Sequence, residues 1–289
     1  MAVRDIRNPI EWSWDQLTTA NRSAAAALRA VRRAHPAETA PPEVRRIAPG
    51  ALREVLAKGF ADFQALRTDV VFLCVAYPVI GLVLARMALG SDLLPLLFPL
   101  ASGFALVGPF AAVGLYEMSR HREQGRAAGW GSAFGVVRSP AFGAILLLGL
   151  VLVAIFLLWL AAAWGIYALT LGPEPPATPG AFLRDVLTTA PGWAMIAIGI
   201  AAGFLFALLA MTISVVSFPL LLDREVALGT AIRTSVRAVR ANPGTMAAWG
   251  LIVAGGLVLG SLPLLVGLAV VLPVLGHATW HLYRKLVAG

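Results

Sequence analysis

Long apolar runs alternate with short basic connections along this chain, and the lengths of the runs carry the first conclusion. Runs at about 70–89, 93–116, 141–170, 190–222, 244–260 and 262–283 each approach or exceed the ~20 residues that a helix needs to cross a bilayer core. The third and fourth exceed that need, which implies tilt or protruding ends. Residues 244–283 are one continuous apolar stretch; as a single helix it would run roughly 60 Å, about twice the hydrocarbon thickness. It is therefore expected to fold back, with Gly260, Ser261 and Pro263 as the break. The pattern predicts an all-α fold: a polytopic helical transmembrane bundle of about six spans, with amphipathic interfacial helices.

A different periodicity marks those interfacial helices. From Pro49, Leu52, Val55, Leu56, Gly59, Phe60 and Phe63 recur at three- and four-residue spacing, with Arg53, Glu54, Lys58, Ala61 and Asp62 between them. This predicts an interfacial helix over 49–67 with Leu52, Leu56, Phe60 and Phe63 turned toward lipid or the bundle. Lys58 and Asp62 are placed on its outer, substitution-tolerant face. Leu228, Ile232, Val236 and Val239 similarly oppose Arg233, Arg237 and Arg240. That helix suits an anionic membrane surface, or is the solvated basic face that orientation rules produce. Residues 1–48 read as an N-terminal arm and linker, with a helix over Pro9–Arg33 followed by Pro36, Pro41 and Pro42; residues 49–289 form the membrane domain.

Composition agrees with lipid as the solvent: the chain has 289 residues, 59% of them hydrophobic and only 13% charged, against about a quarter charged in soluble domains. The net charge of +8 is dispersed between the apolar runs, so anionic headgroups are the expected partner and nucleic acid is not. Arg53, Lys58, Arg67, Arg120, Arg122, Arg126, Arg138, Arg224, Arg233, Arg237, Arg240, Arg284 and Lys285 fall on one side of the predicted topology, and Arg86 and Arg184 on the other. The positive-inside rule then puts both termini in the cytoplasm. The first 69 residues hold no signal-peptide core, so the first span is expected to direct insertion. A weak internal repeat runs through Phe98-Pro99 and Phe218-Pro219, each ahead of a basic loop that ends in Ser139-Pro140 or Asn242-Pro243.

Candidate chemistry is sparse. His277 and His281, one helical turn apart, could present two imidazoles to a metal or haem; without a third ligand, and beside Trp280 and Tyr283, they read as an interfacial belt. Cys74 stands alone, so no thiolate metal site or disulfide framework is expected, and no metal or cofactor is assigned. Ser102, Gly103, Gly108, Pro109, Thr212 and Ser214 are candidates for a neutral pathway or for close helix packing. No HExxH, paired CxxC, GxSxG or Walker sequence occurs, and no enzyme activity is expected.

Three stretches carry a family resemblance: Leu97-Phe98-Pro99 through Val107-Gly108-Pro109, then Gly114-Leu115-Tyr116-Glu117 with Ser119-Arg120 and Glu123, and lastly Leu272-Pro273 through Trp280-His281-Leu282-Tyr283. Over about residues 50–285 the chain resembles the bacterial integral membrane family catalogued as domain of unknown function 2189. The resemblance implies an inner-membrane protein and carries over no activity. The functional expectation is a non-catalytic accessory, assembly or organising protein that meets other inner-membrane proteins or itself; the alternative is a transporter or channel for a neutral or weakly charged solute.

Overall fold

The computed structural model describes residues 42–66, 94–263 and 265–288, without the side chains of Phe104 and Trp130. They belong to one compact unit, Pro41–Gly289; residues 1–41 of the predicted arm over 1–48, and the predicted span at 70–89, lie outside the described residues. Helices make up nearly all of it: α1 (51–66), α2 (Leu97–Ala111), α3 (Val113–Glu123), α4 (Trp130–Gly135), α5 (Phe142–Thr170), α6 (Pro179–Thr188), α7 (Ala190–Ser214), α8 (Ser217–Asp223), α9 (Leu228–Ala241), α10 (Pro243–Ser261) and α11 (Leu268–Leu286). Single 3-10 turns, Leu94–Leu96 and Val136–Arg138, precede α2 and α5. Among the described residues the β structure is a single bridge, Val44 to Val287. The all-helical reading holds.

Among the described residues, four helical stretches are long and apolar enough to cross a membrane: Leu94–Glu123, Phe142–Thr170, Ala190–Asp223 and Pro243–Ser261. α5 is apolar around its whole circumference and has neither charge nor proline, the signature of a helix surrounded by lipid and other spans. α2, α5 and α7 stand side by side. Trp159 of α5 joins all three: its Nε1–H donates to the Pro99 carbonyl of α2 at 3.0 Å, and its ring lies 5.7 Å from Phe206 of α7. Gly103 makes room for this contact, because a Cβ there would fall 2.9 Å from Trp159.

Two of the predicted spans are interrupted. The run 190–222 becomes α7 and α8, parted at Val215–Val216. Proline at 219 has no N–H and crowds the carbonyl four residues back, that of Val215. The Ser214 hydroxyl bonds back within α7 to the Ala210 carbonyl, and that of Ser217 at the start of α8 reaches across the break to the Ile213 carbonyl, at 2.6 Å each. Ser235 of α9 then mends the gap, accepting from the Val216 N–H at 3.3 Å and donating to the Thr212 carbonyl at 2.8 Å. The run 93–116 is parted at Ala112, three residues beyond Pro109, and its helical path continues through α3 to Glu123. The 244–283 stretch folds back as expected, into antiparallel α10 and α11 with turns at 262–263 and 265–267. Gly256 and Gly260 of α10 face Val271 and Leu268 of α11.

The described residues of the Pro41–Gly289 unit form two tiers. In the apolar tier the sides of α5, α7 and α10 are broadly exposed, with Leu150, Phe204 and Leu251 among the outward residues. In the other tier α1, α3, α8, α9 and the C-terminal half of α11 pack closely; Val55, Phe218, Leu220, Trp280 and Leu286 are fully buried there. The basic segments gather at this end, as their one-sided distribution in sequence implies. α11 is shared between the tiers, which explains why it is not apolar enough along its whole length to stand with the four spans.

Candidate functional site

Asp62 is the hub of a polar cluster inside the densely packed tier. The buried stripe of α1 is Leu52, Val55, Gly59, Asp62 and Leu66, spaced three and four residues apart. Asp62 thus lies in the middle of the stripe rather than on the outer face where the sequence placed it. Only 5% of it is exposed, whereas Phe60 is 46% exposed. The expectation that Asp62 tolerates alanine is therefore overturned: a carboxylate appears at a core position because its partners come from distant parts of the chain.

Those partners sit on α3 and α11. Asp62 Oδ2 accepts from Ser119 Oγ at 2.6 Å and from His281 Nε2 at 2.8 Å, and Oδ1 accepts from the Arg122 guanidinium. Ser119 Oγ also lies 2.8 Å from His277 Nδ1. Since the single serine proton serves the carboxylate, His277 Nδ1–H donates to Ser119. His277 is fully buried, and its Nε2, near the Leu115 backbone, makes no hydrogen bond of good geometry. Burial works to raise the Asp62 pKa, but the hydrogen bonds from His281 and Ser119 and the nearby imidazoles outweigh it and hold the carboxyl below its ordinary value.

Close backbone approach makes this possible. A Cβ on Gly59 would lie 2.6 Å from the Ala278 nitrogen, and one on Gly276 would lie 2.6 Å from Leu115 Cδ1, so α11 is wedged between α1 and α3. Below it, Glu123 accepts from Trp280 Nε1 at 2.9 Å and Arg284 Nε at 3.1 Å, and Asp223 accepts from Tyr283 at 2.6 Å. At the surface Lys285 Nζ donates to Glu54 Oε2 at 2.7 Å. Asn242 draws in residues 45–47, accepting from the Ile47 N–H at 2.7 Å and donating to the Arg45 carbonyl at 3.0 Å. The Arg45 N–H donates to the Leu286 carbonyl at 2.7 Å, closing the ring of contacts.

The histidine pair singled out in sequence thus faces a carboxylate and a serine. Among the described residues no group of three His, Cys, Asp or Glu side chains is placed to hold a metal ion. Ser119, His277 and Asp62 are residue types of acyl-transfer catalysis, yet Ser119 is 1% exposed and offers no face to a substrate. What the arrangement does chemically is join three helices through charge-assisted hydrogen bonds. Asp62 and Ser119 escaped sequence reasoning because each looks like an ordinary polar helix position; the one signal was the i, i+4 histidine pair.

The pathway candidates do not converge. Ser102 is half-buried and donates to Pro99 in its own helix at 3.3 Å. Ser214 and Thr212 stand at the α7 break, and Gly103 and Pro109 belong to α2, the first packed on α5 and the second just ahead of its break. Gly108 faces open space. On α9, Arg233, Arg237 and Arg240 point outward, while Thr230, Ala231, Thr234, Ser235 and Ala238 form the buried face, flanked by the half-buried Leu228, Ile232, Val236 and Val239.

Apolar helices with bare outer sides, closed at one end by a polar helical layer, define an integral membrane protein. Over residues 97–223, from α2 to α8, the chain matches the family described as predicted integral membrane protein (DUF2189). No curated protein and no solved structure matches the chain.

Proposed function

We propose that this protein is a multi-pass protein of the bacterial inner membrane, with both termini cytoplasmic, which serves without catalysis of its own as an accessory, assembling or organising factor for membrane complexes. One observation supports the reading above all others. The buried polar groups of the described chain hold its own helices together at the basic end, while α7 offers an almost wholly apolar surface, with Trp193, Ile198, Ile200, Phe204 and Leu205 all exposed. Lipid tails cover such a surface, and so does another transmembrane helix, because packing rather than water exclusion decides association within the bilayer. Outward Arg233, Arg237 and Arg240 suit anionic headgroups on the cytoplasmic face. Mild-detergent extraction with crosslinking and mass spectrometry tests the role: defined inner-membrane partners, or a second copy, should be captured through α7. A protein that stays alone under conditions that preserve other complexes would remove the support.

A transporter or channel for a neutral or weakly charged solute is the second reading, favoured by the interruptions at Ala112 and Val215–Val216 in two spans that each lead into a basic-end helix and a further span. Interrupted helices line solute sites in many carriers. Cysteines placed at Ser102 and Ser214 in a Cys74→Ser background report on it. Labelling of both by a small water-soluble thiol reagent supports a wet pathway, and inert thiols at both positions count against one.

A further inference from the structure

A cavity of about 220 Å³ opens where the basic end meets the apolar tier, lined by Glu117, Arg120, Arg138, Ser139 and Pro140, with Leu222 behind them. At ~30 Å³ per water it has room for roughly seven waters. Glu117 is buried, and its charge is already balanced: Arg120 Nε and Nη2 donate to its two oxygens at 2.8 and 2.7 Å. Arg138 is different. It is exposed, on the 3-10 turn that leads into α5, and it has no hydrogen-bond or ion-pair partner among the described residues. The cavity therefore carries one uncompensated positive charge, to which the N-terminus of the 29-residue α5 adds its dipole.

Beside the charge lies an apolar border. Phe134 and Val137 are 63% and 58% exposed, and the bare side of α5 begins within a turn of Pro140. A ligand suited to this place has one negative charge, several acceptor oxygens and an apolar tail leading away along α5. We propose that the cavity binds the phosphodiester of a monoanionic glycerophospholipid, with Arg138 as the direct cation, Arg120 as the second wall and the acyl chains laid over Val137 and α5. Arginine suits the task because its planar fork matches phosphate oxygens. This site differs from the diffuse basic face of α9, and it stands whether or not the protein organises complexes.

Native mass spectrometry of the full chain in mild detergent, titrated with phosphatidylglycerol or phosphatidylcholine, tests the site. The wild type should retain one phosphatidylglycerol in clear preference to phosphatidylcholine, and Arg138→Gln should weaken that retention about fivefold. Arg138→Lys should recover part of it, and Arg126→Gln, the same charge change on the exposed turn after α3, should leave it unchanged. Equal losses in Arg138→Gln and Arg126→Gln would reduce the site to general surface charge and overturn the proposal, as would equal retention of the two lipids. Competition by millimolar inorganic phosphate as effective as that by the lipid would assign the cavity to free phosphate instead. Arg138→Gln should elute and melt like the wild type in lipid-free detergent, so that lost lipid cannot be laid to lost fold.

Discussion

A single carboxylate carries a large share of the packing at the basic end. Removing one member of a buried, hydrogen-bonded charged group costs about 3–5 kcal/mol, because the partners are left unpaired. Asp62→Ala should therefore lower the melting temperature of the detergent-solubilised protein by several degrees, while Lys58→Ala, four residues away and paired only at the surface with Glu54, should be silent. Tryptophan fluorescence during heating reads the difference. The carboxyl's depressed pKa gives the effect a pH signature. A group with a lowered folded-state pKa contributes its full stability above its unfolded value, near 3.8, and loses it as pH falls through the lower folded value. The melting gap between wild type and Asp62→Asn should accordingly be constant from pH 7 to about 5 and close below 3.8; a gap unchanged at pH 3 would mean that charge is not what Asp62 supplies. None of this was visible along the chain, where Asp62 follows Lys58 at helical spacing like any surface residue. Position within a stripe is set by the partner helix, and the partner here is 219 residues away.

Helices were readable to the extent that length decides them. Uncharged runs such as α5 have one physical solution in lipid, since every backbone group must bond within the segment. Breaks are decided by neighbours. Pro219 announces trouble, but the interruption is tolerable because Ser235 caps it from another helix. Ser235→Ala should strand the buried Val216 N–H at a cost of about 1–3 kcal/mol, whereas Ser102→Ala, whose hydroxyl serves only its own helix, should change little; accumulation of folded protein in membranes compares the two. Glycines divide in the same way. Gly59→Ala collides with the Ala278 backbone, so overpacking of about 1–3 kcal/mol is expected, while Gly199→Ala in α7 meets nothing within 4 Å and should be neutral or slightly stabilising. The Phe-Pro repeat fares less well than the helices around it. Pro99 stands in the first turn of α2 and Pro219 in the buried α8 at the other end of its span, so the two prolines are not equivalent. What recurs is the order of elements: an interrupted span, a basic-end helix, a polar residue before proline, and another span.

Across the whole molecule, the gathering of basic segments at one end sets a topology that fusions can read. Reporters placed in the loop after Gly172 should sit in the periplasm, and those near Gln124 or following α11 in the cytoplasm; opposite compartments for the last two would contradict the contacts that bring α3 and α11 together. The pairing of residues 43–47 with the strand-like Val287 has a further consequence, one of timing. α11 leaves the ribosome after every element it packs on. At 5–20 residues per second, the 219 residues between Asp62 and His281 take roughly ten to forty seconds to make. Through that interval α1 is already translated, its carboxylate lacks a histidine and Glu123 lacks its tryptophan. A nascent chain in this state is a half-built membrane protein with an unlatched amphipathic helix, the kind of client that membrane chaperones shield and quality-control proteases remove. Translation stalled before Gly276 should therefore yield a chain that inserts and is then degraded, its lifetime set by the one helix still to come.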